Sequence, residues 1–276
     1  MNSPQDQISH YLATGESDTL SYAWPGDCII ARAQCGSGAL RNALIKEVIG
    51  RTPHASTPEQ VAHLDVAAFA REKITPMVRG LFPVNERPVL MDMFSRSVVF
   101  LSSDNAVSVI SETRFLSTAW DLANLYLLSC GAETLSEQAP KLVGLSEGTT
   151  CYVSTEYFRC NDRLEDFVVH EAAHVFHNCK RETIGLPRIR GRDWLLEIDF
   201  HKRELFAYVC EVYSRLLALG STRASRRRCL AELESGPPPP DDRVDPNEYW
   251  LTLREAVESN NGWKKIHDRC RPPRKP

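Results

Sequence analysis

This chain of 276 residues has no stretch approaching the roughly 18 uninterrupted apolar residues that a membrane-crossing helix needs. Its first twenty residues have no basic start leading into an apolar run. Both absences predict a soluble, cytoplasmic protein that does not engage a membrane. No C-x-x-C pair occurs among Cys28, Cys35, Cys130, Cys151, Cys160, Cys179, Cys210, Cys229 and Cys270, which argues against a zinc ribbon or a dithiol redox site. The scattered, odd-numbered set predicts reduced thiols used as small core residues, as Cys210 is in F-A-Y-V-C. A net charge of −3 gives no general attraction to nucleic acid or anionic lipid. The concentrated basic run, Arg223 to Arg228, lacks interleaved aromatics that could stack on bases, so it is expected to be a solvated helix end or connector. Nucleotide fingerprints are also missing, since G-S-G-A-L-R at 36–41 lacks the third glycine.

The apolar and turn residues predict a mainly helical chain. A-L-R-N-A-L-I-K-E-V-I at 39–49 has helical apolar spacing, and a second helix over 57–73 would use Thr57 as N-cap and Pro58 as its first residue. Residues 96–110 are rich in β-branched and apolar side chains and predict one strand or a short hairpin broken at Ser-Ser-Asp-Asn. T-A-W-D-L-A-N-L-Y-L-L-S-C-G, at 118–131, predicts a buried helix closed by Gly131, and 149–158 predicts a strand. The run S-G-P-P-P-P-D-D-R-V-D-P at 235–246 can be neither a helix interior nor a central strand, so it reads as a semi-rigid connector to a last helix near Glu248 to Ser259. The R-P-P-R-K-P tail is expected to be disordered. These readings divide the chain into a helical N-terminal segment (1–75), a central domain (76–234), the connector (235–246) and a C-terminal helix with its tail (247–276).

The chemistry concentrates in V-V-H-E-A-A-H-V-F-H at 168–177. Asp162 followed by Glu165 matches a capping box, so a helix is expected to start near Arg163. On that helix His170 and His174 are one turn apart on the same face and can take two corners of a zinc tetrahedron. Glu171 is rotated about 100° from His170, close enough to reach water beside the metal without being a ligand. The surrounding residues are apolar nearly all round, so two histidines and a glutamate there need a common partner. By chance H-E-x-x-H would arise in on the order of one chain in fifty to a hundred of this composition.

A third ligand must come from elsewhere. His177 and Lys180 stand where a metzincin needs Gly and His or Asp, so that class does not apply. Residues 194–217 read as one long helix on which Glu197, Glu204 and Glu211 recur every seven residues, with His201 and Tyr208 between them. Each glutamate can serve as ligand. Glu204 is favoured because the small Ala207 one turn on would let this helix approach the histidine helix, and Glu211 suits an acceptor for a ligand imidazole. His177 and Tyr208 are candidates for stabilising an oxyanion, His177 also for a hydrogen-bonded support beside the site.

H-E-A-A-H followed by E-L-F-A at 204–207 resembles the gluzincin type of zinc metallopeptidase. The resemblance covers roughly 149–217. It implies Zn²⁺ on His170, His174 and Glu204, Glu171 as general base, an α+β zincin-like domain, mainly helical with a small sheet, and C-Y-V-S-T-E-Y-F as an edge strand pairing with a protein or peptide substrate. A selective protein target is expected from the compartment. Two other readings are open to the sequence. A non-catalytic zinc protein could use the same residues, and G-L-S-E-G at 144–148 matches G-x-S-x-G with Ser146 as nucleophile. The latter is disfavoured because strand-like residues follow Gly148, where a nucleophile elbow needs a helix.

Overall fold

The computed structural model describes residues 3–159, 162–189, 191–239 and 241–273. Within them the chain runs α1 (Pro4–Thr14), α2 (Ile29–Arg51), α3 (Glu59–Ala62), α4 (Val66–Leu81), α5 (Arg87–Phe94), β1 (Val98–Leu101), α6 (Ala106–Glu112), α7 (Leu116–Ser129), β2 (Gly144–Glu147), β3 (Thr150–Ser154), α8 (Phe167–Asn178), α9 (Arg203–Leu219), α10 (Arg223–Leu233), α11 (Pro246–Glu258) and α12 (Gly262–Cys270). The architecture is α+β and mostly helical, with one three-stranded sheet in the order β1-β3-β2. Among the described residues no helix is long and apolar enough to cross a membrane. Cys160 and the last three residues of the tail lie outside the described residues; Cys151, Cys179, Cys210 and Cys270 are buried free thiols, whereas Cys28, Cys35 and Cys130 are exposed.

The chain forms two compact units. One comprises Met1–His63, Phe100–Leu145 and Ser154–Phe158. There α2 packs on α1, α6 and α7. The Arg41 guanidinium ties α2 to the end of α6 by donating to the carbonyls of Ile110 and Thr113 and to the Thr113 hydroxyl. The other unit comprises Leu64–Val99, Ser146–Val153 and Arg159–Pro276, and its core is α8 against α9, flanked by α4, α11 and α12. Phe176 of α8 stacks edge-on with Phe94 and tilted against Phe82. At Gly80 of α4 any Cβ would run into the Trp263 ring of α12, so only glycine permits this approach.

Several expected elements differ. The expected helix over 57–73 is two helices. Pro58 precedes α3 rather than opening it, Thr57 bonds Ser103, and Asp65 starts α4 afresh by accepting from the Ala68 N–H. After β1 the chain turns helical as α6 instead of forming a hairpin. The Asn105 side chain causes that turn by bonding the Ser102 N–H and the Phe100 carbonyl. The strand over 149–158 stops at Ser154 and passes into a 3₁₀ turn, Thr155–Phe158. β3 is the middle strand, so it cannot offer an edge, and β2 is an edge strand instead. Gly148, with φ of +61°, links β2 to β3, so the G-x-S-x-G stretch is a hairpin and Ser146 is no nucleophile elbow. The buried helix closed by Gly131 is α7, where Gly131 takes φ of +68°.

Candidate metal centre

The histidine helix α8 starts four residues later than the capping box suggests. Asp162 instead accepts from the Leu164 N–H in a local turn, while Asp166 caps α8 by accepting from the Val169 N–H. Asp166 is 1% exposed, and its carboxylate is paired with Lys73 Nζ of α4 at 2.7 Å. That pairing keeps a buried charge neutralised at the start of the helix.

The expected helix over 194–217 begins only at Arg203, because upstream backbone is committed to α8. Leu196 N–H donates to the Phe176 carbonyl and Leu195 N–H to that of Cys179, so these two residues satisfy carbonyls of the last turn of α8 and of its C-cap. Glu197 is thus off the α9 face, and its Oε1 accepts from the Asp193 and Trp194 N–H groups. His201 lies in a 3₁₀ turn, Phe200–Lys202, and is exposed. The loop between α8 and α9 is pinned by a buried ion pair, with Arg181 fully buried and bidentate on Glu86 and Arg192 on the same carboxylate.

Glu204 and Glu211 remain on α9, two turns apart and facing α8, with Ala207 fully buried between them. His170 Nε2, His174 Nε2 and Glu204 Oε2 converge. The two nitrogens are 3.2 Å apart, the carboxylate oxygen is 3.5 Å from His174 Nε2, and it is 3.9 Å from His170 Nε2. Ligands about 2.0–2.1 Å from a tetrahedral zinc lie about 3.3–3.4 Å apart, so two of these edges already match and a small carboxylate rotation closes the third. These are the residues that could hold a metal ion, and among the described residues no other such group is found.

The far sides of the imidazoles fix which atoms face the cluster. The His170 Nδ1–H donates to Glu211 Oε2 at 3.0 Å, while Glu211 Oε1 accepts the Asp166 N–H at 2.7 Å. His177 Nδ1–H donates to Asn178 Oδ1 at 3.1 Å, so its Nε2 accepts from the His174 Nδ1–H, also at 3.1 Å. Both ligand-side Nε2 atoms therefore present lone pairs. Three acceptors aimed at one point repel one another unless a cation stands between them, which is how the donor set fits a metal.

Exposure follows the same division. The three converging side chains are 14–19% exposed, whereas Glu211 is 4%, His177 3% and Glu171 6% exposed. Burial pushes His177 down to about 3, with His174 and Arg203 adding to the shift, so the imidazole is neutral. Burial raises Glu171 to about 7; Glu204 and Glu211 add to the rise, and His174 and a hydrogen bond from Ser146 of β2 oppose it. Burial also works to raise Glu204, but His174, Arg243 and His170 outweigh it and hold its carboxyl below the usual range. The Tyr208 ring packs edge-on against His170, 4.6 Å between centroids, and burial beside Asp241, Glu211 and Glu204 pushes its phenol up to about 12.

Four contributors have no signature in the spacing. Asp166 lies next to a more obvious capping pattern, and Asn178 is an ordinary helix-end polar residue. Ser146 attracts notice only as an unsuitable nucleophile. Arg243, which reaches Glu204, sits in a segment whose prolines predict a connector. No protein-family model, curated protein or solved structure matches this chain.

Proposed function

We propose that this protein is a zinc-dependent metallopeptidase of the gluzincin type, with His170, His174 and Glu204 as ligands. The observation that supports it most is the convergence of two imidazole lone pairs and one carboxylate oxygen at nearly tetrahedral separations. Two nitrogens and one carboxylate suit zinc better than magnesium or calcium, which take oxygen sets. Bound there, the ion would act as a Lewis acid, making water more acidic and a peptide carbonyl more electrophilic.

The chain's own groups divide the remaining work. Glu171 takes a proton from the water that attacks the carbonyl carbon and passes it to the amide nitrogen as the C–N bond breaks. Its elevated proton affinity without metal is lowered again by a neighbouring cation. Ser146 steadies the Glu171 carboxylate from β2. Tyr208, a neutral phenol beside His170, donates to the developing oxyanion. His177 has both ring nitrogens engaged and orients His174. The substrate is a protein or peptide.

A non-catalytic zinc protein could share the ligands, but a buried carboxylate beside the metal that is not a ligand favours the enzyme. The test is to purify the protein without a metal-binding tag, measure its zinc, and incubate wild type and Glu171→Gln with a diverse peptide mixture read by mass spectrometry. Zinc in both proteins with cleavage by wild type alone is expected. Wild-type protein that folds yet takes up no zinc or similar metal sinks the proposal. Metal without cleavage by either form turns it into the non-catalytic alternative.

A further inference from the structure

The side chain that finishes the candidate centre comes from beyond the proline run. We infer that Arg243, held by Asp241, is a positioning residue that fixes Glu204 for metal binding; the inference rests on the metal-centre reading above. Arg243 Nη1 lies 3.0 Å from Glu204 Oε1, the oxygen that does not face the histidines. The rest of the guanidinium is committed to Asp241. Nε donates to Asp241 Oδ1 at 2.9 Å and Nη2 to Oδ2 at 2.6 Å, a fork that leaves the plane of the group little freedom.

The backbone carrying these two residues is fastened on both sides. The Asp241 carboxylate also accepts the Arg243 N–H, and the Asp241 carbonyl accepts the Val244 N–H in a tight turn. Val244 is 4% exposed, and the next residue, Asp245, is the N-cap of α11 and accepts from the Asn247 N–H. An exposed arginine pair elsewhere on a surface would do little. Here one end of the pair is a candidate ligand that is 19% exposed and must choose which oxygen to offer. With Oε1 held by Arg243, Oε2 is the oxygen left facing the histidines. Arg243 and Asp241 thus stand to Glu204 as Glu211 stands to His170 and His177 to His174, so each of the three ligands has its own support, an ion pair for Glu204 and a hydrogen bond for each imidazole.

The experiment measures how tightly the full chain holds zinc, by competition with a chromogenic chelator, for wild type, Arg243→Ala, Arg243→Lys and Asp241→Asn. Melting of the metal-free proteins is recorded alongside. The expected result is a loss of affinity of about 10–100-fold in Arg243→Ala. Arg243→Lys and Asp241→Asn should fall between it and wild type, because lysine lacks the fork and asparagine weakens it. The metal-free melting temperatures should stay together, which a purely structural role for this segment would not produce. Arg243→Ala holding zinc as tightly as wild type, or losing affinity only in step with its metal-free melting temperature, overturns the inference while leaving the metal centre standing. Wild type that binds no zinc overturns the metal reading itself, and this inference with it.

Discussion

α7 and α8 each bury about two thirds of their side chains, yet they treat polar groups in opposite ways. In α7 the buried amide of Asn124 is closed off locally. Its Nδ2 donates to the Trp120 carbonyl and its Oδ1 accepts the Leu135 N–H. In α8, His170, His174 and Glu171 are also polar groups in an apolar helix, but only the outer nitrogen of each imidazole is satisfied by neighbours. The inner nitrogens face each other and a carboxylate. A buried polar group that meets a backbone partner adds specificity to a core. Acceptors that meet only other acceptors describe a place for a cation. Burial and polarity alone do not separate the two helices, and the direction of the unsatisfied lone pairs does.

The comparison breaks most sharply at the ligands. His174→Ala or Glu204→Ala should remove bound metal altogether, as elemental analysis after dialysis will show; full retention in both would mean the cluster is not the site. Next in size is Glu171→Gln, expected to keep the metal and lower peptide hydrolysis by about 10²–10⁴-fold. Cleavage at wild-type rate would remove Glu171 from its role. Glu211→Gln weakens the hold on His170 Nδ1, and chelator competition should report about 10–100-fold weaker metal binding. In α7 the counterpart is Asn124→Ala, which takes the partner from the half-buried Leu135 N–H at a cost of about 0.5–1.5 kcal/mol in denaturant unfolding. Metal content should not change, and if it did, the two helices would not be as independent in role as described.

The smallest effect concerns His267 in α12, a half-buried histidine with one hydrogen bond to the Glu197 backbone. Burial, with Arg271 nearby, lowers its proton affinity below the ordinary value. The folded state therefore disfavours the proton that the unfolded chain accepts once pH falls below about 6.5. Its contribution to stability is complete above that pH and declines as the solution is acidified. His267→Gln should flatten that part of the stability curve between pH 7 and 5, and an unchanged slope would show that other groups set it.

The sequence alone determined a good deal of this protein. Spacing within one helix is fixed by 3.6 residues per turn, so His170 and His174 had to share a face once the segment was helical. The small Ala207 next to Glu204 was legible for a similar reason, since approach between helices is limited by local side-chain volume. The proline run and the Gly131 helix stop were legible because they act through their own backbone. Tertiary structure decided the rest. Whether Glu197 belonged to the same face as Glu204 depended on where α9 begins, and that was set by the Phe176 and Cys179 carbonyls claiming the backbone of Leu195 and Leu196. The start of α8 was settled by Asp166, whose burial is made tolerable by Lys73 from another helix. The reach of Arg243 to Glu204, across 39 positions of sequence, has no periodicity to announce it. Local geometry is written in short-range sterics and hydrogen bonds, while the supports of a buried site are chosen by which distant groups the fold brings within about 3 Å.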